Sequence, residues 1–215
     1  MRGEAIVSAE KERFIEEILG QHRNIIGTAP NNINRGACES CGGFCCKTAP
    51  CALMPCDITD MSVDGIKDML NTGKYSLRVC KFYSSDYLVT MCSRQVNVGR
   101  VTDSLLFNAC ALLTESGCPF SDEDRLTGAL LLIPNMTHRC RYILSDERVF
   151  AEWKKYEDIL NQVLFDEIHK TPQETFVQNC KNTIEYICKK YGSEIPPKYV
   201  ALCNECFIEI YMHEK

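Results

Sequence analysis

Apolar positions recur with a helical period at both ends of the chain and lose it in the middle. Near the start, Phe14, Ile15, Ile18 and Leu19 share one face, Ser8 is placed to cap and Gly20 to stop. A helix is therefore expected over residues 5–19. Residues 27–37 (GTAPNNINRGA) have loop composition. A second helical pattern begins at Ser62, continues through Ile66, Met69 and Leu70, and stops near Gly73. Val, Tyr and Thr then concentrate between residues 75 and 98, which predicts one or two strands. A short strand and a turn at Gly117 are expected across residues 110–118.

The last third is the most regular. Val149, Phe150, Trp153, Tyr156, Ile159, Leu160, Val163 and Leu164 keep one rhythm, predicting a single helix of roughly 20 residues. Thr171 as N-cap, Pro172 at the first helical position and Glu174 three residues after the cap form a complete helix start. The face of that helix runs Phe176, Val177, Cys180, Ile184, Ile187, Cys188, Tyr191, and Gly192 ends it. A final helix from Pro196-Pro197 is expected to bury Tyr199, Cys203, Cys206, Phe207 and Ile210.

Composition narrows the function classes. The chain has 215 residues, 45% hydrophobic and 25% charged, which is enough for a real core without crosslinks. A net charge of −5 with no basic stripe argues against nucleic acid as the main partner. The start has no apolar run after a basic residue, and the longest apolar stretch, residues 129–134, is too short to span a bilayer. A soluble, cytoplasmic protein with no membrane partner is expected.

Cysteine changes the picture most. There are fifteen, six of them between Cys38 and Cys56. Cys180, Cys188, Cys203 and Cys206 fall on helical apolar stripes, where a thiol packs as a small hydrophobe. The alternative for Cys203-x2-Cys206 is a helical ligand pair without a second pair nearby. Cys38, Cys41, Cys45, Cys46, Cys51, Cys56, Cys110, Cys118 and Cys140 lie in irregular, Gly- and Pro-rich sequence. Thiolates repel one another, so gathering them calls for a cation or for pairwise oxidation. In a reducing compartment the cation is favoured. A C-x2-C step followed by Gly42-Gly43 suits two sulfurs on one metal. The uneven spacing of the later cysteines suits an iron–sulfur cluster somewhat better than zinc. His138 is a further candidate ligand, although a loop histidine at the surface is the commoner case. His22, His169 and His213 are expected to be solvated. Lys47, Arg94, Arg139 and Arg141 stand near cysteines in sequence and can offset thiolate charge.

The run Cys38-x2-Cys41-Gly-Gly-Phe-Cys45-Cys46, then Pro55-Cys56-Asp57, Cys110-Ala-Leu-Leu, Gly117-Cys118-Pro119, Asp124-Arg125 and Cys140, resembles the YkgJ-like cysteine-cluster family. These are the CxxCxxCC proteins described as zinc- or iron-chelating domains. The resemblance covers about residues 35–142. It implies Cys38, Cys41, Cys45, Cys46, Cys110, Cys118 and Cys140 as ligands, with Cys56 close behind. Here three residues separate Cys41 from Cys45 where the family name implies two, and Arg125-Leu126 stands where the family often has Arg-Pro. The cluster is also similar to that of flagellin lysine N-methylases, which implies enzymatic relatives.

The expected fold class is mainly α with small β content, an irregular cysteine-rich metal-binding region packed on a C-terminal three-helix section. The expected divisions are 1–30 (helix and lead-in), 31–144 (metal-chelating) and 145–215 (helical). The leading function is chelation of an iron–sulfur cluster or zinc, with the helical part as scaffold or docking surface for a protein partner. The alternatives are a metal-dependent enzyme modifying a protein side chain, and a thiol-redox or metal-delivery protein. No radical S-adenosylmethionine run, G-x-G-x-x-G loop, G-x-S-x-G elbow or P-loop supports an enzyme. The sequence leaves open whether Cys51, Cys80 and Cys92 take part.

Overall fold

An antiparallel hairpin organises the chain. β1 (Tyr75–Phe82) pairs with β2 (Asp86–Ser93) in register from Tyr75↔Ser93 to Phe82↔Asp86. An isolated hairpin is marginal in water. This one is covered, and β2 is buried from Leu88 to Ser93. The computed structural model describes residues 9–22, 46–47, 49–82, 86–96, 98–101, 105, 108–115, 118, 125–133 and 141–214. Ser8, Cys38, Cys41, Cys45, Gly117, His138, Arg139 and Cys140 lie outside the described residues.

The hairpin is widened at both edges by irregular chain. Leu53 N–H donates to the Met91 carbonyl (3.1 Å) and Ser93 N–H to the Cys51 carbonyl (2.8 Å), so residues 51–53 run beside β2. On the other edge Leu77 N–H donates to the Arg100 carbonyl (2.7 Å) and Leu77 bridges Val101. Of the strand expected at residues 110–118, the described residues keep isolated bridge positions at Cys110, opposite Gln95, and at Thr114, with a turn between them in which Leu113 N–H reaches the Cys110 carbonyl. Cys110 is tied to chain on either side of it, at Cys46 and at Gln95.

Helices supply the rest, and the described chain is mainly helical with little strand. α1 (Ala9–Gln21) buries Phe14, Ile18 and Leu19 as predicted and overruns Gly20 by one residue. α2 (Val63–Asn71) starts at Ser62, whose hydroxyl accepts from Gly65 N–H at 3.1 Å, and ends before Gly73 at φ 69°. α3 (Thr127–Leu130) leads into a small pairing of β3 (Leu132–Ile133) with β4 (Arg141–Tyr142). Two apolar clusters form the core. One joins the hairpin to α2 and to Trp153, Leu160, Val163 and Leu164; the other joins α1 to Met54, Leu131, Ile143 and Leu144.

The C-terminal section holds four helices rather than three. The single helix expected from residue 149 is two, α4 (Asp146–Lys154) and α5 (Glu157–Ile168). Tyr156 leaves helical geometry (φ −120°, ψ 16°), and its N–H reaches back three residues to the Trp153 carbonyl at 3.0 Å. That tight turn keeps the apolar phase, so the sequence rhythm runs through the break. α6 (Pro172–Tyr191) has the predicted capping box, with Thr171 Oγ1 accepting from Glu174 N–H and Glu174 accepting from Thr171 N–H (2.8 Å). Thr171→Ala is expected to cost about 1 kcal/mol, measurable by chemical denaturation. α7 (Pro197–His213) completes the chain.

The helical cysteines are not all core. Cys180 and Cys206 are buried, but Cys188 is exposed and Cys203 half-buried. Thr175, Asn179 and Thr183 are buried on α6 instead, with the Thr175 and Thr183 hydroxyls donating to carbonyls one turn back. His213 is not simply solvated, because its ring contacts Tyr87 and Gln173. Among the described residues no helix is long and apolar enough to cross a membrane.

Candidate metal centre

Four cysteines from three separate stretches border one cavity of about 460 Å3: Cys46, Cys51, Cys110 and Cys118. Backbone bonds bring the first three together. Cys110 N–H donates to the Cys46 carbonyl at 2.7 Å. Ser93, the last residue of β2, accepts from Cys51 N–H (2.7 Å) and from the Cys110 thiol (3.2 Å) through one hydroxyl. The end of a strand therefore holds two sulfur-bearing segments in place. Cys118 is exposed on the outer rim.

Leu112, Leu113, Leu126, Leu132 and Tyr142 also line the cavity and make much of its surface apolar. α3 closes it at close range, with Gly128 N–H donating to the Ala52 carbonyl at 3.2 Å. An added Cβ at Gly128 would collide with that same carbonyl oxygen, so the approach requires glycine. Arg78 of β1 and Arg125 also border the cavity. Among the described residues they are the basic ones at the site, whereas Lys47 is exposed and Arg94 binds the carbonyls of Gly73 and Val98; Arg139 and the Arg141 side chain lie outside the described residues.

Electrostatics here oppose several anions at once. The Cys51 thiol is pushed well above the ordinary thiol range, first by burial, then by Asp57, Cys110 and Cys118. The Tyr142 hydroxyl is raised by burial and then by Cys51 and Asp57. Each negative charge placed here makes the next harder to form, so several thiolates together need a bound cation.

Cys56 lies apart from this cavity. It sits in the 3-10 turn Pro55–Asp57, half-buried against the α1 cluster, with its thiol 3.6 Å from Thr127 Oγ1. Burial pushes it up to about 11, with Asp57 adding to the rise and Thr127 and Lys11 opposing it. The anchor of this turn is Asp57, whose buried carboxylate meets Lys11 Nζ at 2.9 Å. It also accepts from Met54 N–H (2.9 Å), Thr127 N–H (3.0 Å) and Thr127 Oγ1 (2.8 Å). Lys11 in turn donates to the Arg125 carbonyl at 2.6 Å. Cys80 and Cys92 belong to a different cavity beside the hairpin and contact Thr90 and Ser76.

No family model, no curated protein and no solved structure matches this chain. The site therefore rests on its own chemistry. Among the described residues no three His, Cys, Asp or Glu side chains converge closely enough to hold a metal ion. Of the predicted ligands, Cys46, Cys110 and Cys118 share the cavity and Cys56 does not, while Cys38, Cys41, Cys45 and Cys140 fall outside the described residues. Sequence reasoning left Cys51 open and missed Ser93, Arg78 and Tyr142. For Cys51 the signal was its place in the same irregular stretch; the others carry no local mark.

Proposed function

We propose that the chain is a metal-binding protein that holds an iron–sulfur cluster or zinc through cysteines of its front half. The observation that carries this is the gathering of Cys46, Cys51, Cys110 and Cys118 around one cavity. The sequence supplies the further ligands close by. Cys45, Cys41 and Cys38 stand one, five and eight positions before Cys46, and Cys140 stands two positions before the cavity-lining Tyr142. The likeness to the YkgJ-like family supports the same reading. A largely apolar chamber wider than a lone four-coordinate ion needs favours a cluster over zinc. Arg78 and Arg125 would offset the negative charge of a thiolate-bound centre.

Anaerobic purification with elemental and sulfide analysis tests this reading. Wild type is expected to carry stoichiometric iron and sulfide with a brown colour, or colourless stoichiometric zinc. Cys41→Ser and Cys118→Ser are expected to lose that metal in the same proportion, while Cys188→Ser, changed on α6, keeps it. A metal-free wild type with its front-half thiols oxidised in pairs would favour the thiol-redox alternative and end this one.

A further inference from the structure

α6 and α7 pack antiparallel, and three contacts fix their register. Tyr191 faces Tyr199 near the turn, with ring centroids 5.3 Å apart. Toward the other end Lys181 pairs with Glu214, and the Gln173 side chain meets His213 Nδ1 at 2.6 Å. Between those marks the same register sets Cys180 against Cys206 and brings Cys188 near Cys203.

The two pairs differ in depth. Cys180 is 0% exposed and Cys206 2%, whereas Cys188 is exposed and Cys203 half-buried. In the inner pair the sulfurs are in hydrogen-bond contact, with Cys180 donating to Cys206. That bond draws the Cys206 thiol below its ordinary range, against the effect of burial. Cys180 is pushed up by the same bond and then by burial. Cys206 therefore gives up its proton first while Cys180 keeps its own. An attacking thiolate stands beside a resolving thiol.

We propose that Cys180 and Cys206 form a thiol–disulfide exchange site whose substrate is a low-molecular-weight disulfide. The product is a disulfide that ties α7 to α6. Access comes from the weak seating of α7, in which Cys206 is the one buried residue among those described. Lifting this last helix uncovers little apolar surface, so the opening is local and of low cost. A small disulfide can enter through it.

Exchange conserves atoms and electrons. The Cys206 thiolate attacks one sulfur of the substrate and expels a thiolate. Cys180 passes its proton to that leaving thiolate, attacks the Cys206 sulfur of the mixed disulfide and expels the second. The substrate is reduced to two thiols, and the chain loses two hydrogens. Closing the bond encloses residues 180–206 in a loop, which restricts the unfolded chain. The site lies wholly in the helical section and does not depend on whether the front-half cysteines hold metal.

Oxidised glutathione added to the folded full chain, followed by alkylation and tryptic mapping, tests this. Cleavage after Lys181 and Lys189 separates Cys180 (residues 171–181) from Cys188 (182–189), while Cys203 and Cys206 share residues 199–215. The expected product links 171–181 to 199–215, forms equally in Cys203→Ser and is undone by dithiothreitol. Oxidation is also expected to raise the melting midpoint of wild type by about 5–10 °C more than that of Cys180→Ala. The mapping reads wild type itself, so it holds even where a variant is poorly folded. The proposal is overturned if 182–189 carries the link in place of 171–181, or if Cys203→Ser abolishes it. It is equally overturned if Cys180 and Cys206 stay open to alkylation after oxidation, or if their link forms only in urea.

Discussion

Asp57→Ala is expected to be the most destabilising single replacement in the front half, at about 3–5 kcal/mol. The carboxylate is fully buried against Lys11, itself only 7% exposed. It also satisfies two backbone N–H groups and the Thr127 hydroxyl. Removing it takes the Asp57 charge away from a buried ammonium and takes the acceptor from three donors, and each such loss is costly. For a chain of this length the melting temperature should fall by about 10 °C. Lys11→Met should cost less, because Asp57 keeps the bonds from Met54 and Thr127. Denaturant unfolding of the two variants checks the ranking, and equal losses would show that the ammonium, not the bonds to Met54 and Thr127, dominates.

The second large effect is expected at Gly128. Gly128→Ala places a methyl where the Ala52 carbonyl oxygen already lies. The obstacle is backbone, which cannot swing aside as a side chain can. Overpacking should cost about 1–3 kcal/mol, toward the upper end here. The displaced segment includes Cys51 and the wall it shares with Cys110, so metal affinity should fall about 10-fold or more, as when supporting residues of a metal site are lost. Competition with a chelator reads the affinity, and thermal melting reads the stability. Unchanged metal affinity in a folded Gly128→Ala protein would separate the Cys51 segment from the centre.

What was legible in the sequence was local. Ser62 and Thr171 announce their helices because a cap needs only its own next three residues. The hairpin follows from strand-forming composition. The division of the cysteines was not legible in the same way. Cys51 and Cys56 sit five positions apart in similar sequence, yet one borders the cavity and the other packs against α1. The difference is made by Asp57, Thr127 and Lys11, which meet only in the fold. Lys11 did leave a trace, since it stands on the same helical stripe as Phe14, Ile15 and Ile18. Phe207 shows the other limit. An apolar stripe has the same period whether it faces its own core or another molecule, and here it faces outward. The break at Tyr156 was invisible because the tight turn preserves the rhythm on both sides.

The bond from Lys11 to the Arg125 carbonyl spans 114 positions. At about 5–20 residues per second, a ribosome needs roughly 6–23 s between making one partner and the other. The run from Cys38 to Cys46 is made within that interval, before Cys110, Arg125 and Gly128 exist. The walls of the cavity are thus complete only once Tyr142 has been made, so Cys46 and Cys51 leave the ribosome well before the Cys110, Cys118 and apolar side chains that border the cavity with them.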